Sequence, residues 1–373
     1  MNQAFPVRTD GLPAVLFVAT PAAMGGSNRS LVTLLRELDG RVHRVLASPG
    51  FGAFVEHVRE EGLADEFVEL PRRPGHTLDR LLRVTAGLWI AQWALRNRKR
   101  LAAIHANALT GLNLSTPAAL ITQRPTVVWI HDPVGSKWGA RLGPILRRLL
   151  PRLRLAAVSP TAESIAVENG LCDEGDAVIV PNPLSADEIL APQPRDGAVP
   201  LHIGFVGGAS PRKGFDLLPK VVASTMDLPI VWKLYVNLEP TVGNDMTWIA
   251  LEQYPRDRVD PVGKLVDVKQ VYADLDIVFI PSRAESFCRV AAEAMMNGIP
   301  VAGSDIPPLR ALLGDDEAGL IFPTGDGGAA AETIRRLVED GALRRKLGDE
   351  GRQRAEALAP SAIAAQLLRL YGL

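Results

Sequence analysis

Short continuous apolar runs, each followed by a helical stretch, restrict this chain to few architectures. AVLFVA (14–19), HRVLAS (43–48), AAIHAN (102–107), TVVWIH (126–131), LAAVS (155–159) and AVIVPN (177–182) come first. A Pro-rich passage, APQPRDGAVP (191–200), interrupts them. The pattern then restarts with LHIGFVGG (201–208), IVWKLYV (230–236), DIVFIPS (276–282), GIPVAGS (298–304) and GLIFP (319–323). Strands without polar alternation are buried on both faces, which requires parallel sheets covered by helices. One restart predicts two such sheets. The expected fold class is therefore α/β, with two Rossmann-like doubly wound domains facing a cleft. The expected boundaries are 1–187 and 188–355, with a C-terminal helix over 356–373 returning toward the first domain. Helices are expected at 329–338, 341–357 and 361–371.

At 373 residues the chain has room for two domains of ordinary size. Its net charge of −1 excludes a dedicated nucleic-acid binder, which carries a basic excess. Residues 1–187 hold 21 Lys/Arg against 17 Asp/Glu, and residues 188–373 hold 20 against 25. The two cysteines, Cys172 and Cys288, form no metal or redox spacing, so free thiols in a reducing compartment are expected. The run near residue 14 is too short for a signal peptide, and nothing approaches the roughly 20 apolar residues that span a bilayer. A cytoplasmic protein is expected, at most peripheral at the inner face of a membrane.

Doubly wound sheets bind ligands beyond the carboxyl ends of their strands, so the residues following each strand carry the functional reading. After the first strand, Gly25 and Gly26 precede Ser27 and Asn28, both good helix N-caps. After the strand at 201, Gly208 opens GGASPRKGF, where Arg212 and Lys213 place positive charge at the next helix start, a phosphate cradle or a plain basic turn. No GxxxxGK[ST] loop is present. His131 and Asp132 end the strand at 126, where a histidine is either packed or functional, and no GxSxG elbow accompanies them.

In PSRAESFCRVAAEAMMNGIPV (281–301) two glutamates stand eight apart. Glu285 lies in the loop before a helix expected to start near Cys288 or Arg289. The amides of Phe287, Cys288 and Arg289 are then available to an anion. A negative first turn suited to the helix dipole accounts for Glu285 but not for Glu293. Asp274 and Asp276 in DLD have the spacing of an Asp-x-Asp metal pair, but a turn accounts for them and no metal is assigned.

These residues resemble the retaining glycosyltransferases of family 4, which have the GT-B fold. The resemblance runs over nearly the whole chain: the glycine loop MGGSN, His131, Pro181 and Asn182, VGGASPRKG, and above all E-x7-E from Glu285 to Glu293. It implies a nucleotide diphosphate sugar as donor substrate, a hydroxyl acceptor (a glycan, a lipid-linked group or a small molecule), and no cofactor or metal. By the same resemblance Lys213, with an arginine of its loop, holds the donor diphosphate, and Glu293 holds the ribose. Glu285 with the amides of Ser286, Phe287, Cys288 and Arg289 holds the sugar. His131 contacts the sugar hydroxymethyl or the acceptor.

The chain departs from the pattern at three places. Gly208 stands where the loop arginine is usual, with Arg212 four residues on. Cys288 replaces a glycine and narrows the donor-sugar pocket. NLEPTVGND follows the strand at 230 in place of G-x-G-P. A non-catalytic sugar-nucleotide-binding subunit stays open as an alternative. A dinucleotide oxidoreductase is disfavoured, because MGGSNRS does not match G-x-G-x-x-G.

Residues 70–100 hold eight Lys/Arg against one acid, and 137–154 hold six against none. With Trp89, Trp93 and Trp138 these segments are suited to peripheral contact with an anionic membrane. Two amphipathic helices with solvated basic faces are the plainer reading.

Overall fold

The apolar runs become strands of two wholly parallel sheets. The computed structural model describes residues 11–19, 24–70, 79–131, 139–185, 200–236, 250–263 and 268–373. Asp132, Trp138 and the segments 71–78, 191–199 and 237–245 singled out above lie outside the described residues. The chain divides into two compact units, Met1–Pro183 with Pro360–Leu373, and Leu184–Ala359.

The first unit contains β1 (Ala14–Val18), β2 (His43–Pro49), β3 (Glu66–Leu70), β4 (Leu101–Asn107), β5 (Thr126–Ile130), β6 (Leu153–Ala157) and β7 (Val178–Ile179), ordered β3-β2-β1-β4-β5-β6-β7. The second contains β8 (Leu201–Gly207), β9 (Ile230–Val236), β10 (Val259–Asp260), β11 (Ile277–Ile280), β12 (Val301–Ser304) and β13 (Gly319–Phe322), ordered β10-β9-β8-β11-β12-β13. In each sheet the first strand sits centrally and the order reverses beside it, at β1/β4 and at β8/β11. These are the topological switch points where doubly wound sheets bind ligands.

Burial follows from that placement. Every residue of β1 is fully buried, as a strand covered on both faces must be. The second core is aromatic: Trp232, Phe279 and Phe322 form a chain of rings with centroids 5.5 and 5.6 Å apart, and Phe215 meets Phe205 at 5.6 Å. β3 (EFVEL) and β10 were not expected from the sequence. β3 carries two glutamates among its five residues and lies at the sheet edge, and β10 has only two residues.

The last helix, Pro360–Tyr371, packs on the helix Gly26–Glu37 of the first unit. Tyr371 anchors it: the hydroxyl lies 2.7 Å from His105 Nδ1, and its ring meets Phe17 edge-on. Burial, and then the neighbouring His131, push the His105 pKa down to about 3. The folded protein thus keeps this imidazole neutral while the unfolded chain, at an ordinary 6.5, takes up a proton. Stability is therefore lost as pH falls below about 6.5. Urea midpoints measured from neutral pH down to about pH 5 should fall less steeply in His105→Gln than in the native chain, and equal slopes would contradict this.

Candidate functional site

Two loops leave the switch point of the second sheet and are held to each other. The first continues β8 through Gly207 and Gly208 into a single 3-10 turn, Pro211–Lys213, whose N-cap Ser210 accepts from the Lys213 amide. The turn closes at Gly214, which has φ +73°, and a Cβ there would stand 2.0 Å from the Pro281 carbonyl oxygen. Phe215 then enters the core, fully buried. The second loop follows β11. Its Arg283 amide donates to Arg212 O at 2.8 Å, and the Arg283 guanidinium pairs with Asp216 at 2.6 and 2.8 Å. Glycine at 214 is thus a requirement of close approach. Gly214→Ala should cost about 2–4 kcal/mol through left-handed strain and overpacking, seen as a lower denaturant midpoint. A midpoint within error of the native one would show that the loops are not held there.

Between these loops sits Glu285, 8% exposed. Its Oε1 lies 2.5 Å from Lys213 Nζ and accepts from Ser282 Oγ at 2.8 Å. Arg212 Nη1 stands 3.5 Å from Oε2 and donates to Ala284 O at 2.9 Å. Ser304 on β12 bonds the Ser282 carbonyl from below. A carboxylate is buried at tolerable cost only when paired and hydrogen-bonded, and here both conditions hold. Ser282 was missed in the sequence, because its bond to Glu285 joins two loop side chains ahead of the helix start and leaves no capping pattern to read.

The helix Arg289–Met296 starts from Cys288, which holds φ +68° and ψ +70° and is 4% exposed. A side chain is uncommon in that left-handed conformation. Burial, with Glu285 adding, pushes the Cys288 thiol up to about 12, so it is neutral and no nucleophile at ordinary pH. One turn in, Glu293 is 4% exposed. Its Oε2 accepts from Tyr272 OH at 2.8 Å, and Arg289 Nε lies 2.7 Å from Oε1. Burial, and then Glu293, hold the Tyr272 phenol well above its usual range, so it stays a donor. Tyr272 gave no local signal, since it arrives from the helix Val268–Ala273. Phe287 is buried beside the helix start.

The switch point thus gathers Arg212, Lys213, Glu285, Ser286, Phe287, Cys288, Arg289 and Glu293. Gly208 has open space around its missing Cβ, and Arg212 is turned toward Glu285 and Ala284. Asp274 and Asp276 are otherwise engaged: Asp274 pairs with His202 at 2.9 Å and Lys233 at 3.2 Å, and Asp276 accepts from the His202 amide at 2.7 Å.

Gly25, Gly26 and His131 belong to the first unit. Gly25 is the N-cap of the helix Gly26–Glu37, and no side chain caps it. Asn28 therefore does not cap; it is fully buried inside the helix and accepts from Asn107 Nδ2 at 3.3 Å, joining the first turn of that helix to the end of β4. His131 follows β5, 9% exposed, with its ring centroid 4.5 Å from that of Trp129. Trp129 is fixed by its Nε1 donating to Val180 O at 2.8 Å.

Solved structures with this architecture include Anabaena Alr3699/HepE in complex with UDP, with TM-score 0.78 at 19% identity over 95% of this chain and 98% of that one. Sucrose-phosphate synthase from Thermosynechococcus elongatus gives 0.74 at 21%, over 96% and 98%. These likenesses establish the fold. The family model described as Glycosyltransferase Family 4 matches residues 24–188, and the one described as Glycosyl transferases group 1 matches 197–354. The chain is a family 4-like GT-B protein. Curated relatives of this GT-B chain include the phosphatidyl-myo-inositol mannosyltransferase of Mycobacterium leprae, 29% identical over 52% of this chain and 53% of that protein. The D-inositol 3-phosphate glycosyltransferase of Corynebacterium glutamicum is 31% identical over 48% and 45%. The chain spans about half the length of these two relatives.

Proposed function

We propose that the chain is a retaining glycosyltransferase that moves a hexose-type sugar from a nucleotide diphosphate sugar to a hydroxyl acceptor, without a metal ion. The observation that carries this reading is the cluster at the β8/β11 switch point, where Lys213 and Arg212 converge on buried Glu285 beside a helix start. With Arg289 the cluster holds three cations against two carboxylates, a surplus suited to a diphosphate.

In the proposed reaction the bond from the anomeric carbon to the phosphate oxygen breaks as the acceptor oxygen bonds to the same face of that carbon. The acceptor proton passes to the departing diphosphate oxygen, and the products are the glycoside and the nucleoside diphosphate. Negative charge grows on the departing phosphate, so fixed positive groups there lower the barrier most. Lys213, Arg212 and the amides of Phe287 to Arg289 are assigned to that charge. Glu293 is assigned to the ribose, Glu285 to the sugar hydroxyls, and His131 to the sugar hydroxymethyl or the acceptor. The relatives named as a mannosyltransferase and an inositol phosphate glycosyltransferase favour a hexosyl donor and a polyol or lipid-borne acceptor.

Thermal-shift screening with UDP-, GDP- and ADP-sugars tests donor binding. At a concentration of about 100 dissociation constants, stabilisation reaches about 2.7 kcal/mol, so one base should stand out. Transfer to an added acceptor, or hydrolysis of the donor, then tests catalysis. Gly208 in place of an arginine favours one other reading, a non-catalytic sugar-nucleotide-binding subunit. Binding with no turnover under any condition would select that reading.

A further inference from the structure

In the helix Asp79–Arg96, from Ala86 onward, the buried side is mostly small residues with Ile90, and three large apolar residues are left exposed. Ala86, Ile90, Ala91 and Ala94 are buried, and Gly87 abuts Leu114 O and Pro117 of the helix Ala108–Thr122. On the outer side Leu88, Trp89 and Leu95 are 56%, 55% and 48% exposed. Their helical spacing places them on one face with Gln92. A helix of a water-soluble unit ordinarily directs such residues into the core. Beside its C-terminal end, Arg124 donates to Arg98 O at 2.7 Å, which brings alongside the end of the helix Ala108–Thr122, where Ile121 is half exposed.

A cationic rim follows. Arg96, Arg98 and Lys99 are exposed and make no ion pair with a described residue. Two other groups of the segment are committed inward. Trp93 Nε1 donates to Glu66 at 2.5 Å, and Arg100 binds the same carboxylate while its guanidinium covers the Trp93 ring. The outward set is thus Leu88, Trp89 and Leu95 with Arg96, Arg98 and Lys99.

We propose that this face seats the protein on an anionic lipid bilayer. Leu88 and Trp89 enter the boundary between headgroups and acyl chains, and Arg96, Arg98 and Lys99 contact headgroup phosphates. An exposed tryptophan beside leucines is suited to that boundary, and exposed cations complement a negative surface. A second copy fits less well, because a two-fold contact across the patch sets the same exposed cations near their own symmetry mates. The inference stands apart from the proposed reaction, since it concerns where the chain resides.

The test is sedimentation of the full chain with vesicles of phosphatidylcholine alone or of an equimolar mixture with phosphatidylglycerol. The mixture should bind at least about tenfold more protein, at about fivefold per cation. The substitution pair Leu88→Ser with Trp89→Ser, and the triple Arg96→Gln, Arg98→Gln and Lys99→Gln, should each lower that binding by about tenfold or more. All of these side chains are exposed, so thermal shifts with the nucleotide sugar should be unchanged, which separates failure here from failure of the reaction. Equal binding to both vesicles, or binding that survives either set of substitutions, overturns the proposal. So does concentration-dependent dimerisation that Trp89→Ser abolishes in a protein that binds no vesicles.

Discussion

Lys213→Ala should lower kcat/KM for the preferred nucleotide sugar by about two to three orders of magnitude, the usual cost of removing one fixed donor from a site of developing negative charge. The lysine is 2.5 Å from Glu285 Oε1, so its loss also affects the resting protein. Glu285 keeps Ser282 at 2.8 Å and Arg212 at 3.5 Å, which limits the stability loss to about 1–3 kcal/mol. The double variant Lys213→Met with Glu285→Gln separates the two effects. Replacing both charges removes the desolvation burden, so most of the stability should return. Activity should not. Rates and urea midpoints are to be measured on the same preparations. If the double variant regains transfer along with stability, the lysine only balances a buried acid.

Glu293 should divide in the same way between its two substitutions. Glu293→Ala strips the carboxylate from Tyr272 and from Arg289, whose side chain is only 10% exposed. Breaking a buried pair on one side costs about 3–5 kcal/mol, so this variant should unfold at much lower denaturant. Glu293→Gln keeps the shape and an acceptor for Tyr272 OH, and should stay folded. Its affinity for the nucleotide should still fall about tenfold or more, since a carboxylate accepts from a ribose diol more strongly than an amide does. Calorimetric titration reads the affinity directly. Unchanged affinity in Glu293→Gln would make Glu293 a structural residue and leave the ribose unassigned.

Most of the fold was legible because parallel strands buried on both faces are written as unbroken apolar runs. IVWKLYV became β9 over the same residues, 230–236. AVIVPN, by contrast, contracted to the two residues of β7, both exposed at the sheet edge. EFVEL was hidden by its two glutamates, which break the apolar run, and one of them, Glu66, binds Trp93 and Arg100. At the site the legible part was local. A strand end, a loop glutamate and a helix start follow one another in twenty residues, and the helix does begin at Arg289. The rest is brought in by the fold: Ser304 from β12 and Tyr272 from a preceding helix reach Ser282 and Glu293 only when the sheet forms. Nor does spacing reveal that Asn28 turns inward to Asn107 instead of capping its helix.

The most direct measurement is a crystal structure of the protein soaked with the nucleotide sugar that gives the largest thermal shift. The account predicts the diphosphate within hydrogen-bonding reach, about 2.7–3.2 Å, of Lys213 Nζ and of the amides that begin the helix Arg289–Met296, with the ribose hydroxyls on Glu293. A nucleotide seated elsewhere, with Lys213 still held by Glu285, would contradict it.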